Sequence, residues 1–152
     1  MKLEFLLEFN VTVQEPAEHV GQGPFGDRTI YTVTGGGFEG PRLRGKILSG
    51  GAGDWLLVDS RGIARLDVRG TMQTDDGALI YLHYLGVVTQ DPSRPPRPAG
   101  EPEEYGDAYF MTSPSFETGD ERYAWLNDLV CVGEGKMTST GVAYRVYAAV
   151  ND

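Results

Sequence analysis

The chain has 152 residues, 40% of them hydrophobic and 23% charged, which is typical of one folded domain rather than of a disordered chain or a membrane span. Its formal net charge of -9 disfavours nucleic acid and anionic membrane surfaces as partners. Its 21 glycines, about twice the average usage, predict many tight turns between short strands and therefore an all-β fold.

The first predicted strand runs from Leu3 to Val13, because apolar and polar residues alternate along it. The apolar residues expected to face the core together are Leu3, Phe5, Leu7, Phe9, Val11 and Val13. Pro16 ends this strand, and a turn-rich loop is predicted from Glu18 to Arg28. A second strand, Thr29–Thr34, then leads into a run of three glycines, 35–37, that predicts a turn or a bulge.

Short strands follow at close intervals, separated by glycine-rich or Asp-Gly turns. They are predicted at Leu43–Leu48, Asp54–Asp59, Gly62–Gln73 and Ala78–Val88. Strands at this spacing are typical of an antiparallel barrel or sandwich.

The segment Asp91–Gly106 differs from the rest because it contains many prolines and almost no apolar side chains. Its prolines are Pro92, Pro95, Pro96, Pro98 and Pro102, and it is predicted to be a long exposed loop. Beyond it, strands are predicted at Tyr109–Thr112, Leu129–Val132 and Val142–Val150, and a short helical segment at Asp120–Asn127. Residues 1–152 are therefore expected to form a single antiparallel β-barrel domain of about 8–10 strands with one short helical segment near 120–127.

Several separated motifs give the chain a resemblance to a known family. They are Gly36-Gly37-Phe38-Glu39-Gly40-Pro41, Gly50-Gly51-Ala52-Gly53-Asp54-Trp55, Leu66-Asp67-Val68-Arg69, Thr74-Asp75-Asp76-Gly77, Phe116-Glu117-Thr118-Gly119 and Tyr123-Ala124-Trp125-Leu126-Asn127. In this order they resemble the small bacterial and fungal proteins of domain-of-unknown-function family three-two-three-seven. The resemblance runs from about Leu3 to Val150, and it implies a compact β-barrel more than any activity.

The strand 63–71 alternates charged and apolar residues, so its function depends on which face lies inside the barrel. If the polar face points outwards, Asp67 pairs with an arginine in solvent, worth under about 1 kcal/mol. If it points inwards, Asp67 and Arg69 line a cavity as an acid/base or anion-holding pair. Antiparallel pairing with the next strand brings Tyr81 and His83 close to them. These four residues are the candidate catalytic groups.

Five further residues are candidate ligand contacts. Asp54 and Trp55 begin a strand after a glycine loop. There Asp54 is expected to reach into the mouth of the barrel and Trp55 to cap it. The alternative is that Trp55 is a packed side chain and Asp54 an exposed one. Glu117, Tyr123 and Trp125 belong to the irregular segment before the last strands, which can close one end of the barrel and border a ligand. The alternative is that Trp125 only seals the core.

Two classes of function fit these residues. In the first, the barrel encloses a small, partly apolar organic compound, and the candidate catalytic residues transfer protons as in an isomerase, cyclase or lyase. In the second, the same barrel binds a ligand or a protein partner without chemistry. Homodimerisation through exposed strand edges stays open.

Neither a metal nor another cofactor is expected, because the two histidines lie on distant segments and no Cys/His spacing forms a ligand set. The lone Cys131 cannot form an internal disulfide and is expected to be an inert buried thiol. The segment Met1–Val13 carries Glu4 and Glu8, so it is neither a signal peptide nor a spanning helix, and a cytoplasmic location with no membrane partner is expected.

Overall fold

The computed structural model describes residues 1–95, 97–98 and 100–152, which form a closed antiparallel β-barrel with additional strands. The strands are β1 (Lys2–Val13), β2 (Glu18–Gly23), β3 (Gly26–Glu39), β4 (Arg44–Ile47), β5 (Gly53–Val58), β6 (Ala64–Thr74), β7 (Leu79–Thr89), β8 (Tyr109–Glu117), β9 (Cys131–Met137) and β10 (Gly141–Val150). A 3-10 helix, Glu121–Asp128, lies between β8 and β9. The prediction of an antiparallel barrel with one short helical segment is confirmed.

The barrel closes because β1 pairs with β10 on one side and with β3 on the other. Going round the wall, the order is β1, β10, β9, β8, β7, β6, β4 and β3. The two remaining strands continue along β3: β5 pairs with β3 and β6 beyond the end of β4, and β2 pairs with the first part of β3. Because successive side chains of a strand point to opposite faces, each strand contributes alternately to the interior and the exterior.

The first strand departs from strict alternation. Its register shifts between Phe5 and Leu7, so Leu6 is an extra residue opposite β10. As a result Leu6 and Leu7 are both buried, whereas Leu3 and Phe5 are exposed at the outer wall. The prediction that Leu3 and Phe5 face the core is therefore wrong, because a one-residue bulge exchanges the two faces of the strand.

The predicted loop from Glu18 to Arg28 contains β2 and the beginning of β3, which pair with each other as a hairpin. The three glycines after Thr34 do not end the second strand either, since β3 continues to Glu39 with a register shift against β1. Gly36 in this stretch has no room for a side chain, because a Cβ there would overlap the carbonyl oxygen of Asn10. The glycine run therefore serves close strand approach and a bulge rather than a turn.

The 3-10 helix closes one end of the barrel. Leu126 is fully buried in the core, and Asn127 exchanges hydrogen bonds with the backbone of Thr118 just beyond β8, at 2.8 and 3.0 Å. The carboxylate of Asp120 accepts the Arg122 backbone N–H at 3.0 Å, so it caps the helix as predicted. We call this the closed end, and the opposite end, where β7 ends and β10 begins, the open end.

Most described residues of the proline-rich loop are exposed, but the loop returns to the open end at Glu103. The Glu103 backbone N–H donates to the Met137 carbonyl, and the Met137 N–H donates to Oε1 of Glu103, both at 2.9 Å. Pro96, one of the prolines on which this loop was predicted, lies outside the described residues. Within the part of the chain that the structure describes, no helix is long and apolar enough to cross a membrane.

Candidate active site in the barrel cavity

The four candidate catalytic residues come together, but on the outer wall of the barrel. In β6 the buried side chains are Leu66, Val68 and Met72, and in β7 they are Ile80, Leu82 and Tyr84. The residues between them, which include Asp67, Arg69, Tyr81 and His83, therefore face outwards. Arg69 pairs with His83 across the two strands, as the predicted hairpin requires.

Contacts within this outer cluster are those of a surface ion pair. His83 Nε2 lies 3.1 Å from Asp67 Oδ1, and Arg69 Nε lies 3.9 Å from the same oxygen. The Tyr81 and His83 rings are nearly parallel, with centroids 6.4 Å apart. The Asp67 side chain is 41% exposed, so this arrangement corresponds to the outward-facing alternative of the sequence analysis. An acid/base role for these four residues stays a prediction, and it belongs to the outer wall rather than to the interior.

The predicted ligand contacts are spread over three places. Trp55 lies on the outer wall, and Glu117 pairs with Tyr81 on the same wall, beside a shallow groove. Tyr123 and Trp125 are at the closed end, where the Tyr123 hydroxyl donates to the carboxylate of Asp76 at 2.8 and 2.9 Å. The Arg42 guanidinium covers the Trp125 ring at 3.6 Å. Tyr123 and Trp125 also pack against the core, as the alternative for Trp125 expects, and of the five residues Asp54 alone borders the interior cavity.

Asp54 enters the interior where the pairing between β5 and β6 is interrupted. It stands opposite Tyr31 of β3 and Val68 of β6. Its Oδ1 accepts the backbone N–H of Asp67 at 3.1 Å, which replaces a missing ladder bond. The freed carbonyl of Trp55 accepts a hydrogen bond from Arg28 Nη1 at 2.7 Å. The Asp54 side chain is thus fixed in direction by the backbone of the next strand.

Asp54 borders a cavity of about 290 Å³ at the open end of the barrel. Its wall is largely apolar, with side chains from β1, β3, β5, β6, β7, β8 and β10; examples are Val33, Leu56, Val68, Phe110 and Val142. A larger cleft of about 970 Å³ lies under the proline-rich loop, but it is lined mostly by exposed loop side chains. We place the candidate site in the barrel cavity because small-molecule sites are enclosed and mostly apolar, with a few convergent polar groups.

Two buried tyrosines, Tyr84 and Tyr144, form the inner part of the cavity wall, each 1% exposed. Their rings meet edge to face with centroids 5.0 Å apart, and Phe9 and Phe110 pack on Tyr144 at 4.6 and 5.6 Å. Burial raises the pKa of both phenols well above the usual value, so both are neutral hydrogen-bond donors. Among the described residues, no hydrogen bond of good geometry reaches the Tyr84 hydroxyl, although the Tyr144 hydroxyl is near enough to contribute to the rise in its pKa. A buried hydroxyl without a well-formed hydrogen bond is a candidate donor to a bound molecule.

Burial also acts on the carboxyl of Asp54 and raises its pKa to about 6, since desolvation disfavours the charged form. The Asp67 N–H and the Arg28 charge act in the opposite direction, and the Asp67 charge reinforces burial. The phenol of Tyr31 beside it also has a raised pKa, first from burial and then from the charges of Glu15 and Asp54. A carboxyl group that titrates near neutrality inside a cavity is a candidate general acid or base.

The thiol of Cys131 fits a structural role. Burial raises the pKa of the Cys131 thiol to about 11, in agreement with the prediction of an unreactive cysteine. In the described ranges, no group of three or more His, Cys, Asp or Glu side chains is arranged to hold a metal ion.

The sequence analysis missed Tyr31, Tyr84 and Tyr144 as site residues. Tyr84 occupies a position in β7 that continues the buried set of Ile80 and Leu82, so the apolar face ends in a hydroxyl group. A tyrosine on the buried face of a strand is a readable signal, since its hydroxyl needs a polar partner. Nothing in the sequence shows that β7 and β10 bring Tyr84 and Tyr144 together.

Comparison with known proteins assigns the chain to a family. A family model described as "Protein of unknown function (DUF3237)" matches residues 1–149. The chain belongs to this family. The resemblance derived from the sequence motifs is thereby confirmed.

Three proteins are similar to this chain over most of its length. A UPF0311 protein from Rhodopseudomonas palustris is 32% identical over 128 residues, covering 80% of each chain. A crystallised β-barrel-like protein from Acinetobacter baumannii is 35% identical with a TM-score of 0.85, covering 97% of this chain and 94% of its own. A protein from Penicillium herquei, named hydroalkoxylation enzyme phnH, is 30% identical over 131 residues, covering 86% of this chain and 72% of its own.

Proposed function

We propose that this barrel is a cofactor-independent acid/base enzyme acting on a small, partly apolar organic compound bound in the cavity at the open end. The reaction is the addition of a hydroxyl group of the substrate across a conjugated carbon–carbon double bond of the same molecule. The observation that carries the proposal is the position of Asp54, a carboxyl group with a pKa of about 6 in an apolar cavity that also contains buried phenols.

The chemistry requires one base and one hydrogen-bond donor. Ionised Asp54 removes the proton of the substrate hydroxyl, and the oxygen adds to the β-carbon, forming the C–O bond. The electrons of the double bond move to the substrate carbonyl, and the Tyr84 hydroxyl donates a hydrogen bond to the resulting enolate oxygen. Asp54 then returns the proton to the α-carbon. The product is an isomer of the substrate, so the reaction consumes no oxidant, reductant or co-substrate.

Two observations support this reaction class. The Tyr84 hydroxyl is buried and makes no well-formed hydrogen bond with the described residues. A donor in that state is stabilised most by a substrate oxygen that becomes negative during the reaction. The relative from Penicillium herquei bears the name hydroalkoxylation enzyme, a term for the addition of an O–H group across a double bond. The reaction is of the cyclase or isomerase type expected from the sequence.

The test uses 2′-hydroxychalcone, which carries a hydroxyl group and a conjugated double bond and isomerises to flavanone. The wild-type protein is expected to accelerate this conversion, followed by absorbance and chromatography. Asp54→Asn should lower the rate by about 10²-fold or more, in line with the loss of a general base. The side-chain amide oxygen of this variant can still accept the Asp67 N–H, so the fold should be preserved.

Tyr84→Phe provides a second measurement, because it removes only the hydroxyl group. We expect kcat to fall about tenfold or more while the protein still binds the compound. In wild-type protein, kcat/KM corrected for the uncatalysed rate should rise with pH through about 6, because the base must be ionised.

The same assay separates the alternatives. Binding of 2′-hydroxychalcone without turnover by the wild-type protein would favour a non-catalytic ligand-binding barrel, since the neutral phenols of the cavity can hold a ligand without chemistry. Loss of turnover in Asp67→Asn but not in Asp54→Asn would move the reaction to the outer cluster of Asp67, Arg69, Tyr81 and His83. Failure of wild type to bind or convert the compound would count against the proposal.

A further inference from the structure

The charged groups that line the cavity are all of one sign. Three carboxylate residues, Glu15, Asp54 and Glu103, border it, whereas none of the described lining residues is lysine, arginine or histidine. The inner part of the cavity is different, because Tyr84 and Tyr144 are neutral there. The cavity therefore has a neutral hydrogen-bonding interior and an acidic rim.

Separate parts of the chain supply the acidic rim. Glu15 follows β1, Asp54 belongs to β5, and Glu103 is brought in by the proline-rich loop. The Glu103 position is fixed rather than incidental, since its backbone and side chain both bond to Met137 at the open end. Glu103 is also buried, with 9% exposure, so its side chain is removed from most of the solvent.

The nearby cations do not line the cavity, although the Arg28 charge partly offsets that of Asp54 from outside it. The Arg28 guanidinium donates to the Trp55 carbonyl at 2.7 Å and is not among the lining residues. Lys136, next to Met137, lies 3.7 Å from a Glu104 oxygen and 4.7 Å from the centre of the Tyr105 ring, and it does not line the cavity either. An anionic ligand would therefore meet like charge without a cationic partner.

We propose that the cavity selects uncharged or cationic organic compounds and rejects compounds that carry a carboxylate or phosphate, with Glu15 and Glu103 as the residues that set this specificity. The inference rests on the proposed function for the location of the site. The buried Tyr84 hydroxyl, which makes no well-formed hydrogen bond with the described residues, indicates a ligand oxygen at the inner end. A bound molecule would place its hydrogen-bond acceptor near Tyr84 and its other end between Glu15 and Glu103.

The carboxylates of the rim disfavour a negative charge on the neighbouring phenol of Tyr31. The pKa of Tyr31, which also lines the cavity, is raised by burial and further by the negative charges of Glu15 and Asp54. Ionisation of a phenol at this place creates a negative charge, as does entry of a carboxylate. Low dielectric inside the cavity strengthens both repulsions relative to water.

The test compares two ligands of nearly the same shape and different charge, the 4-nitro and 4-carboxylate derivatives of 2′-methoxychalcone, which lack the reacting hydroxyl group and are not converted during the measurement. Dissociation constants are measured by calorimetry at pH 8 and low salt. The wild-type protein is expected to bind the carboxylate at least tenfold more weakly than the nitro compound, about 1.4 kcal/mol. Raised salt should reduce this ratio, because the rim is partly open to solvent.

The double variant Glu15→Gln with Glu103→Gln should bring the ratio of the two dissociation constants below about threefold. The amide introduced by Glu103→Gln keeps an oxygen that can accept the Met137 N–H, so the loop attachment is retained. The control is Glu4→Gln with Glu121→Gln, which makes the same change in net charge at exposed positions away from the cavity. This control should leave the wild-type ratio intact.

Each outcome gives a distinct answer. Equal binding of the nitro and carboxylate compounds by the wild-type protein would overturn the charge selection, and so would an equal narrowing of the ratio in the control variant. In either case the proposed function would stand if 2′-hydroxychalcone is converted and Asp54→Asn is inactive. Failure of both compounds to bind would overturn the selection together with the cavity as the site.

Discussion

Asp54 should reduce the stability of the folded protein at neutral pH. Its pKa rises from 3.8 to about 6 on folding, so between these values the folded state binds more protons than the unfolded state. The contribution of Asp54 to the free energy of unfolding is therefore fully present below about pH 3.8, and it is lost as the pH rises through about 6 and the folded-state carboxyl ionises. Replacing Asp54 by Asn should remove that loss.

The size of the effect follows from the shift. Each pKa unit corresponds to about 1.4 kcal/mol, which gives roughly 3 kcal/mol as an upper bound for Asp54 above pH 7. Because the side chain is only partly buried, solvent screening reduces this to about 1–2 kcal/mol. For a protein of this length, Asp54→Asn should then raise Tm by about 2–8 °C at pH 8.

The assay is urea unfolding of wild type and Asp54→Asn at about pH 3.5 and about pH 8. The gain in unfolding free energy should be near zero at the lower pH and about 1–2 kcal/mol at the higher pH. Groups that titrate identically in both proteins cancel in this comparison. Asp54→Ser is the control, since it also lacks the carboxyl group. Its difference from wild type in unfolding free energy should change between the two pH values by the same amount as that of Asp54→Asn.

An equal gain at both pH values would assign the effect to packing rather than to ionisation. Absence of any gain at pH 8 would mean that Asp54 does not lie in a desolvating environment, and it would remove the argument that makes this carboxyl the general base. A loss of activity accompanied by a gain in stability is the pattern expected when a functional group is held in an unfavourable environment.

Two further predictions concern the fold. Gly45→Ala should lower the free energy of unfolding in urea by about 1–3 kcal/mol, because a Cβ there would overlap a carbonyl oxygen of β6 and lie 2.8 Å from an aromatic ring. In the control Gly50→Ala the added Cβ meets nothing within 4 Å, so this free energy should change by under about 0.5 kcal/mol. Tyr123→Phe should lower Tm at pH 7, because hydrogen bonds from Thr74 and then from Tyr123 hold the pKa of Asp76 below its usual value. The stability that ionised Asp76 contributes is present above its usual pKa and is lost as the pH falls through its lowered pKa. The Tm difference between variant and wild type should therefore vanish in strong acid. A difference that persists there would contradict the ionic origin.

Local sequence was sufficient for the β6–β7 hairpin and for the short helix. Alternation along β7 and Asp-Gly at the β6–β7 turn predicted a hairpin, and the structure pairs Arg69 with His83 in it. The Asp120 cap and the short helix followed from the same local reasoning. These features depend on neighbours within a few residues, so they can be read without the tertiary structure.

Closure of the barrel decided what the sequence left open. Alternation defines the two faces of β6 but does not say which is inside, and the closed wall puts Val68 inside and Asp67 outside. The bulge at Leu6 reverses the faces of β1 in the same way, because one extra residue shifts the pairing with β10.

The composition of the site was likewise decided by closure. Tyr31, Asp54, Tyr84 and Tyr144 come from strands far apart in the sequence, and Glu103 comes from a loop whose sequence predicts exposure throughout. Local patterns predict that strands form, but only the pairing of β1 with both β3 and β10 makes their inner faces share one cavity. The sequence therefore determined most of the strands, and the tertiary structure determined the site, because desolvation and proximity arise only when distant strands enclose a common space.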